Sequence, residues 1–150
     1  MPFSLLYMAG AWINRGLYAS GFLKRSAFSP VVVSVGNIEV GGVGKTPITA
    51  RLASKLSEMG VKTAVVARNL AGGNHPPVAV RPGSSSGGFP LSDEPVLLGR
   101  LLKDKCVVYA GHSKTDAVER AVREMKPEVV VVDDGFQHHR LHRDIDVVVL

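Results

Sequence analysis

Val31–Pro47 reads VVVSVGNIEVGGVGKTP, and this stretch decides the fold. Val31–Gly36 is a continuous β-branched run, as expected of a strand buried on both faces. A glycine-rich loop follows. Ile48, Leu52, Leu56 and Met59 then recur at helical spacing, with Gly60 placed to end the helix as its C′ residue. Between strand and helix stand Glu39, Val40, Gly41, Gly42, Val43, Gly44, Lys45 and Thr46. They match the phosphate-binding pattern G-x-x-x-x-G-K-[ST] except at its first position, which is Glu39 rather than Gly. In such a loop, glycines bring backbone N–H groups around phosphate oxygens, and the helix N-terminus adds its dipole. Lys45 is placed to reach the β- and γ-phosphates, and the Thr46 hydroxyl to bind Mg²⁺. The bland alternative is a glycine turn before a helix. With strand, G-K-T and helix in register, binding of a nucleoside triphosphate is the reading adopted.

Strands and helices alternate outward from this unit. Thr63–Ala67 (TAVVA), Val107–Ala110, Val129–Val132 and Ile145–Leu150 read as further strands, and Val78–Val80 as a brief one. Ser92 or Asp93 is placed to cap a helix with apolar positions Val96, Leu97, Leu101 and Leu102. Ser113–Asp116 (SKTD) resembles a capping box opening a helix to Met125, which Pro127 stops. The expected fold is therefore α/β, a mostly parallel P-loop NTPase-like sheet flanked by helices. Thirteen of the 24 positions from 69 to 92 are Gly, Pro or Ser, which predicts, outside the brief strand, a mobile loop rather than a domain linker, because core-like segments resume after it.

Composition sets the outer bounds. A chain of 150 residues suits one domain, and 45% apolar with 21% charged residues suits a folded, globular one. The single Cys106 excludes an internal disulfide framework and a multi-thiolate zinc site. The net charge of +5 points to polyanions, and Arg15, Lys24 and Arg25 stand in a first thirty residues without an acid. No zinc knuckle, aromatic–basic platform or continuous basic helix is present, so nucleic acid is not the expected partner. Phe3, Leu6, Ala9, Ile13 and Leu17 mark one face of an amphipathic N-terminal helix, too short to span a bilayer. Its pattern fits equally a helix lying at a membrane surface or one packed on its own domain. The segments are thus residues 1–28, helical and amphipathic, and 29–150, the P-loop core. The last strand runs into the terminus, which suggests a truncated domain.

Two acidic clusters remain. Val129–Val132 leads into Asp133-Asp134, at the place where a P-loop protein holds Mg²⁺ through a carboxylate. A Gly135 turn and the loop containing His138, His139 and His142 follow. Asp93 opens a helix, where its pattern reads as an N-cap. Facing a γ-phosphate it would instead accept a proton from an attacking hydroxyl.

Ser34–Pro47 (SVGNIEVGGVGKTP), Asp93–Leu98 (DEPVLL) and Val132–Leu150 (VDDGFQHHRLHRDIDVVVL), in this order, resemble the tetraacyldisaccharide 4′-kinase family of lipid A synthesis. GLYASGFLKR before the first strand is similar too. The resemblance implies γ-phosphoryl transfer from ATP, with Mg²⁺, to the 4′-hydroxyl of a tetraacylated disaccharide 1-phosphate. It implies peripheral docking on the anionic cytoplasmic face of a Gram-negative inner membrane. On matching positions, Glu39–Thr46 is the ATP loop, with Lys45 and Thr46 on phosphate and metal. Asp133 and Asp134 become the Mg²⁺-associated carboxylates, Asp93 the general base, and His138 an active-site residue. The chain departs from the family after its second strand. Ala67-Arg-Asn69-Leu70-Ala-Gly-Gly73 stands in place of an SRGYGG-like segment. The family also continues for about as long again, with a partner for the base and a second lobe, so this chain is expected to need that half for activity. The competing expectations are a P-loop kinase or ligase with a small soluble acceptor, and a non-catalytic nucleotide-binding module.

Overall fold

In the computed structural model, which describes residues 26–37, 44–71, 73, 75–81, 88–136 and 140–150, six strands form one sheet. They are β1 (Val31–Asn37), β2 (Thr63–Arg68), β3 (Val78–Val80), β4 (Val107–Gly111), β5 (Val129–Asp133) and β6 (Ile145–Val149). The order across the sheet is β3-β4-β2-β5-β1-β6. Every pairing is parallel except that of β3, which runs antiparallel to β4 at one edge. The described helices are α1 (Lys45–Glu58), α2 (Asp93–Leu102) and α3 (Lys114–Met125). The α/β, mostly parallel reading of the sequence is met.

The unbroken β-branched runs are explained by burial from both sides. On one face, α1 and α2 cover Val35, Val65, Ala67, Val108 and Val131 through Ala50, Ala53, Leu98 and Leu102. On the other, α3 covers Val32, Ala64, Val66, Val130 and Val132 through Ala117, Val118 and Ala121. Ser113 caps α3 as the sequence suggested, its Oγ accepting the Asp116 N–H at 3.3 Å. Gly60 ends α1 with φ 83°, and the bonds Gly60 N–H to Ser57 O and Val61 N–H to Leu56 O form a Schellman closure.

Two helix faces differ from expectation. On α1 the fully buried positions are Thr49, Ala50 and Ala53, with Leu52 and Leu56 partly buried, while Ile48 and Met59 stay exposed. On α2, Pro95, Leu98, Gly99 and Leu102 are buried, and Leu97 and Leu101 are exposed. Small residues face the sheet along α1, while on α2 Gly99 lies between the buried Leu98 and Leu102. At Gly99 an added Cβ would lie 3.0 Å from Val80 Cγ1. Hydrophobicity alone picks the large side chains and so rotates the predicted stripe.

The amphipathic helix expected within residues 1–28 falls almost wholly outside the described residues. Of that segment, Ser26 forms a parallel bridge with Leu141, and Phe28 packs against the α3-side core. Among the described residues, no helix is long and apolar enough to cross a membrane.

Candidate active site

β1 and β5 are neighbours in parallel register, with Val35 opposite Asp133. Their carboxyl ends therefore open side by side, where ligands bind in open α/β sheets. α1 starts beside them. Gly44, immediately before it, has φ 72°, a left-handed conformation that a side chain would strain.

The two adjacent aspartates go to different partners. Asp133 ends β5 and is buried. Its Oδ1 accepts from Thr49 Oγ1 at 2.6 Å and its Oδ2 from Thr46 Oγ1 at 3.2 Å. Asp134 has φ 49°, so the chain turns sharply there. Its carboxylate swings to Lys45, 3.3 Å from Nζ, and Lys45 also donates to Asn37 Oδ1 at 2.7 Å.

Packing holds this turn. The Gly135 N–H donates to Val35 O at 3.2 Å. Arg143 Nη1 donates to the carbonyls of Gly135 and Phe136 at 2.8 and 2.9 Å, and its guanidinium lies 5.7 Å from the Phe136 ring centre. Phe136 sits directly on Gly36, and Gly135 sits on Ser34 so closely that a Cβ at either glycine would collide with its neighbour. The small residues of VSVGN and the glycine of DDGF are thus two halves of one contact. This is a physical reason for the motifs to occur together.

Sequence reasoning passed over two charged groups that the fold brings here. Glu94, from the first turn of α2, has Oε1 3.4 Å from Thr46 Oγ1. Thr46 has one hydroxyl hydrogen and two carboxylates facing it, so it satisfies only one at a time. Burial, and next the Asp133 charge, push the Glu94 carboxyl above its ordinary range. Lys114, from the first turn of α3, is buried and donates to the Asp134 carbonyl. Burial lowers its pKa, while Asp134, Asp133 and Glu94 oppose that shift. In the sequence, Glu94 looked like part of a helix start and Lys114 like the interior of a capping box. Neither pattern carries a signal for a crevice assembled from four separate chain segments.

Asp93 is exposed at the mouth of the site. With Thr46, Glu94, Val96, Leu97 and Arg100 it lines an open cleft of about 530 Å³. Ser92 is the N-cap residue of α2 by conformation, but its side chain makes no capping bond. His138 and the loop positions Glu39, Val40, Gly41, Gly42 and Val43 lie outside the described residues.

The donor set suits a hard divalent cation. Thr46 Oγ1, Asp133 and Glu94 offer oxygen ligands of the kind Mg²⁺ takes. Among the described residues, no group of three or more His, Cys, Asp or Glu could hold a metal by itself. Mg²⁺ characteristically binds one or two carboxylates together with substrate phosphates, not an all-protein cage.

The sequence and the fold have counterparts among known proteins. The family model for tetraacyldisaccharide-1-P 4′-kinase (LpxK) matches residues 1–150. The chain belongs to the tetraacyldisaccharide-1-P 4′-kinase family. A tetraacyldisaccharide 4′-kinase of Halorhodospira halophila is 42% identical over 99% of this chain and 44% of its own length. One of Coxiella burnetii (strain Dugway 5J108-111) is 40% identical over 99% of this chain and 45% of its own. The crystal structure of LpxK from Aquifex aeolicus in complex with ATP superposes with a TM-score of 0.81 at 33% identity. That match covers 99% of this chain and 47% of the other. The chain thus spans less than half the length of the curated relatives it matches.

Proposed function

We propose that this chain is the nucleotide-binding part of a lipid kinase. The reaction moves the γ-phosphate of ATP to the 4′-hydroxyl of a tetraacyldisaccharide 1-phosphate in lipid A biosynthesis. The observation that carries the reading is the convergence of Lys45, Thr46, Asp133, Asp134 and Glu94 at the open ends of β1 and β5. Family membership and the likeness to an ATP-bound LpxK support it.

In this reading Glu39–Thr46 wraps the triphosphate as a P-loop, with Lys45 turned toward the β- and γ-phosphates. Asp134 and Asn37 hold the Lys45 ammonium in place before nucleotide arrives. Thr46 and Asp133 hold Mg²⁺, with Glu94 beside them and Asp134 on the Lys45 side. When bound, the ion neutralises charge on the β- and γ-phosphate oxygens. Lys114 adds a buried cation behind the Asp pair. Asp93 accepts the proton of the 4′-hydroxyl as its oxygen bonds to the γ-phosphorus. The bond from that phosphorus to the β-bridging oxygen breaks, and ADP leaves with the electron pair. His138 joins the acceptor side. The open cleft beside Asp93 gives an acceptor room next to it.

The acceptor is acylated, so the reaction belongs at a membrane surface. The N-terminal residues, basic and amphipathic in sequence, dock peripherally on the anionic cytoplasmic face of the inner membrane. Nucleic acid is not a partner in this reading.

Transfer of labelled phosphate from ATP to a tetraacyldisaccharide 1-phosphate in detergent micelles tests the proposal. It is measured for the chain alone and with the C-terminal half of a relative supplied. Transfer that disappears in Lys45→Ala supports the reading. Absence of transfer under both conditions, together with absence of MgATP binding, overturns it.

A further inference from the structure

α2 carries Asp93 and Glu94 to the site, yet its N-cap Ser92 makes no capping bond to its own helix. The start of α2 is held from outside, by Asn69. This residue follows β2 directly and is buried. Its backbone N–H donates to Gly111 O at 2.9 Å, which extends the β2–β4 ladder by one bond and anchors its position. Its side-chain Oδ1 accepts from the Ser92 N–H at 2.9 Å and from Ser92 Oγ at 3.1 Å. Its Nδ2 donates to Pro90 O at 3.0 Å. The carboxamide therefore pairs with the backbone of residues 90–92 as a neighbouring peptide would.

The same amide also grips the other end of the loop. The Ala71 N–H lies 3.3 Å from Oδ1, and Ala71 O lies 3.4 Å from Nδ2. His75 Nε2 is 3.4 Å from Nδ2, and its ring stacks on Phe89 with centroids 4.4 Å apart. One side chain thus ties both ends of the Gly-, Pro- and Ser-rich segment 69–92 to the sheet. An aliphatic side chain of similar volume would leave the Ser92 N–H and the Pro90 carbonyl without these partners.

We propose that Asn69 is a positioning residue: by clasping residues 90–92 to the end of β2, it sets Glu94 against Thr46 and Asp133. The inference rests on the kinase reading of that site. Among the described residues, the side-chain bonds of Asn69 go to residues 71, 75, 90 and 92 and to none of the phosphate-facing groups, so it acts through the placement of α2. Groups that support metal-side residues from behind typically change metal affinity about 10- to 100-fold when removed.

The test uses Asn69→Ala and Asn69→Asp in the full chain. Asp keeps the acceptor for Ser92 and loses the donor to Pro90. Amide hydrogen exchange at Ser92 and at Val96–Leu98 reads the clasp without nucleotide. Exchange should quicken in Asn69→Ala and less so in Asn69→Asp. ATP binding measured with and without Mg²⁺ reads the consequence. Asn69→Ala should lower Mg²⁺ affinity of the ATP-bound chain about tenfold, while Mg²⁺-free ATP affinity changes by less than about twofold. On a Glu94→Gln background the same substitution should add little, because both act on one contact. Unchanged exchange in Asn69→Ala overturns the clasp. Equal loss of ATP and Mg²⁺ affinity, or full additivity with Glu94→Gln, overturns the positioning role and leaves a structural one. A wild-type chain that binds no nucleotide overturns the kinase reading instead, and hydrogen exchange still decides the clasp.

Discussion

The two walls of the crevice are held by different physics. The β1–β5 wall is charged. Lys45, Asp133, Asp134 and, behind them, Lys114 face one another where the chain turns through a left-handed aspartate, and a glycine contact leaves no spare volume. The β2–α2 wall is neutral where it is fastened, through one buried carboxamide whose donors and acceptors all have partners. The titrating groups show where the two walls meet. Glu94 and Lys114 are both displaced, by burial first, toward their uncharged forms. Charge from both walls is thus brought together at a cost to stability, and a nucleotide with its cation would relieve that cost. The second wall is fastened by neutral groups and carries Asp93 and Glu94 to the site.

The comparison breaks most readily at Gly36. In Gly36→Ala the new methyl would meet both the ring and the Cβ of Phe136, so the Asp-Asp-Gly turn has to move. Overpacking of this kind costs about 2–3 kcal/mol. Urea unfolding should show that loss, and MgATP binding should weaken with it. A variant as stable as the parent would show the charged wall to be less tightly fitted than its contacts indicate.

Asp133→Asn and Asp134→Asn separate the two aspartates. Asp133 faces Thr46 and Thr49, so its amide should lower Mg²⁺ affinity of the ATP-bound chain about 10- to 100-fold. Asp134 faces Lys45, so its amide should affect Mg²⁺-free ATP binding more than the metal. Titration calorimetry with and without Mg²⁺ distinguishes them, and identical profiles would merge the two roles into one.

Glu94→Gln sharpens the link between burial and charge. Its folded-state pKa is raised, so the folded chain binds this proton more tightly than the unfolded chain does. Stability from this group is fully present below its ordinary value of 4.5 and is lost as pH rises through the folded value. Glu94→Gln should remove that falling limb and raise Tm at neutral pH by about 2 °C, while weakening Mg²⁺ binding. Lys114 runs the other way: with a folded value below its ordinary 10.5, it favours folding increasingly as pH rises through that lowered value toward 10.5. Thermal melts across pH for both forms check the signs. A melting curve for Glu94→Gln parallel to the parent's at every pH would refute the account.

The smallest effect is expected at Leu97. It is exposed on α2 beside the cleft, and Leu97→Ser should change stability by no more than about 0.5 kcal/mol. A larger loss in chemical denaturation would mean that the helix face was assigned wrongly.

Much of the framework was legible in the sequence. Runs such as VVVSVG and VVVVD are long, β-branched and bounded by loop residues, so only burial on both faces suits them. Gly60 and Ser113 have local roles, a left-handed closure and a cap, and local roles are readable. The helix faces were less so. Ala50, Ala53 and Gly99 are buried because they are small, whereas a hydrophobic pattern is weighted toward large side chains. Glu94 and Lys114 received no role of their own, and Asn69 only that of a departure from the family segment, because nothing in their own neighbourhoods separates them from other polar residues.

By itself the sequence determined the elements that depend on near neighbours: buried strands, helix ends, the start of a helix at Lys45-Thr46, and an aspartate pair closing a strand. Only tertiary structure decided which charges meet. Lys45, Glu94, Lys114 and Asp133 come from four separate segments of the chain. The strand order puts β5 beside β1, and α2 is fastened to the end of β2. Burial and Coulomb interactions depend on distance in space, which the spacing of residues along a chain does not encode.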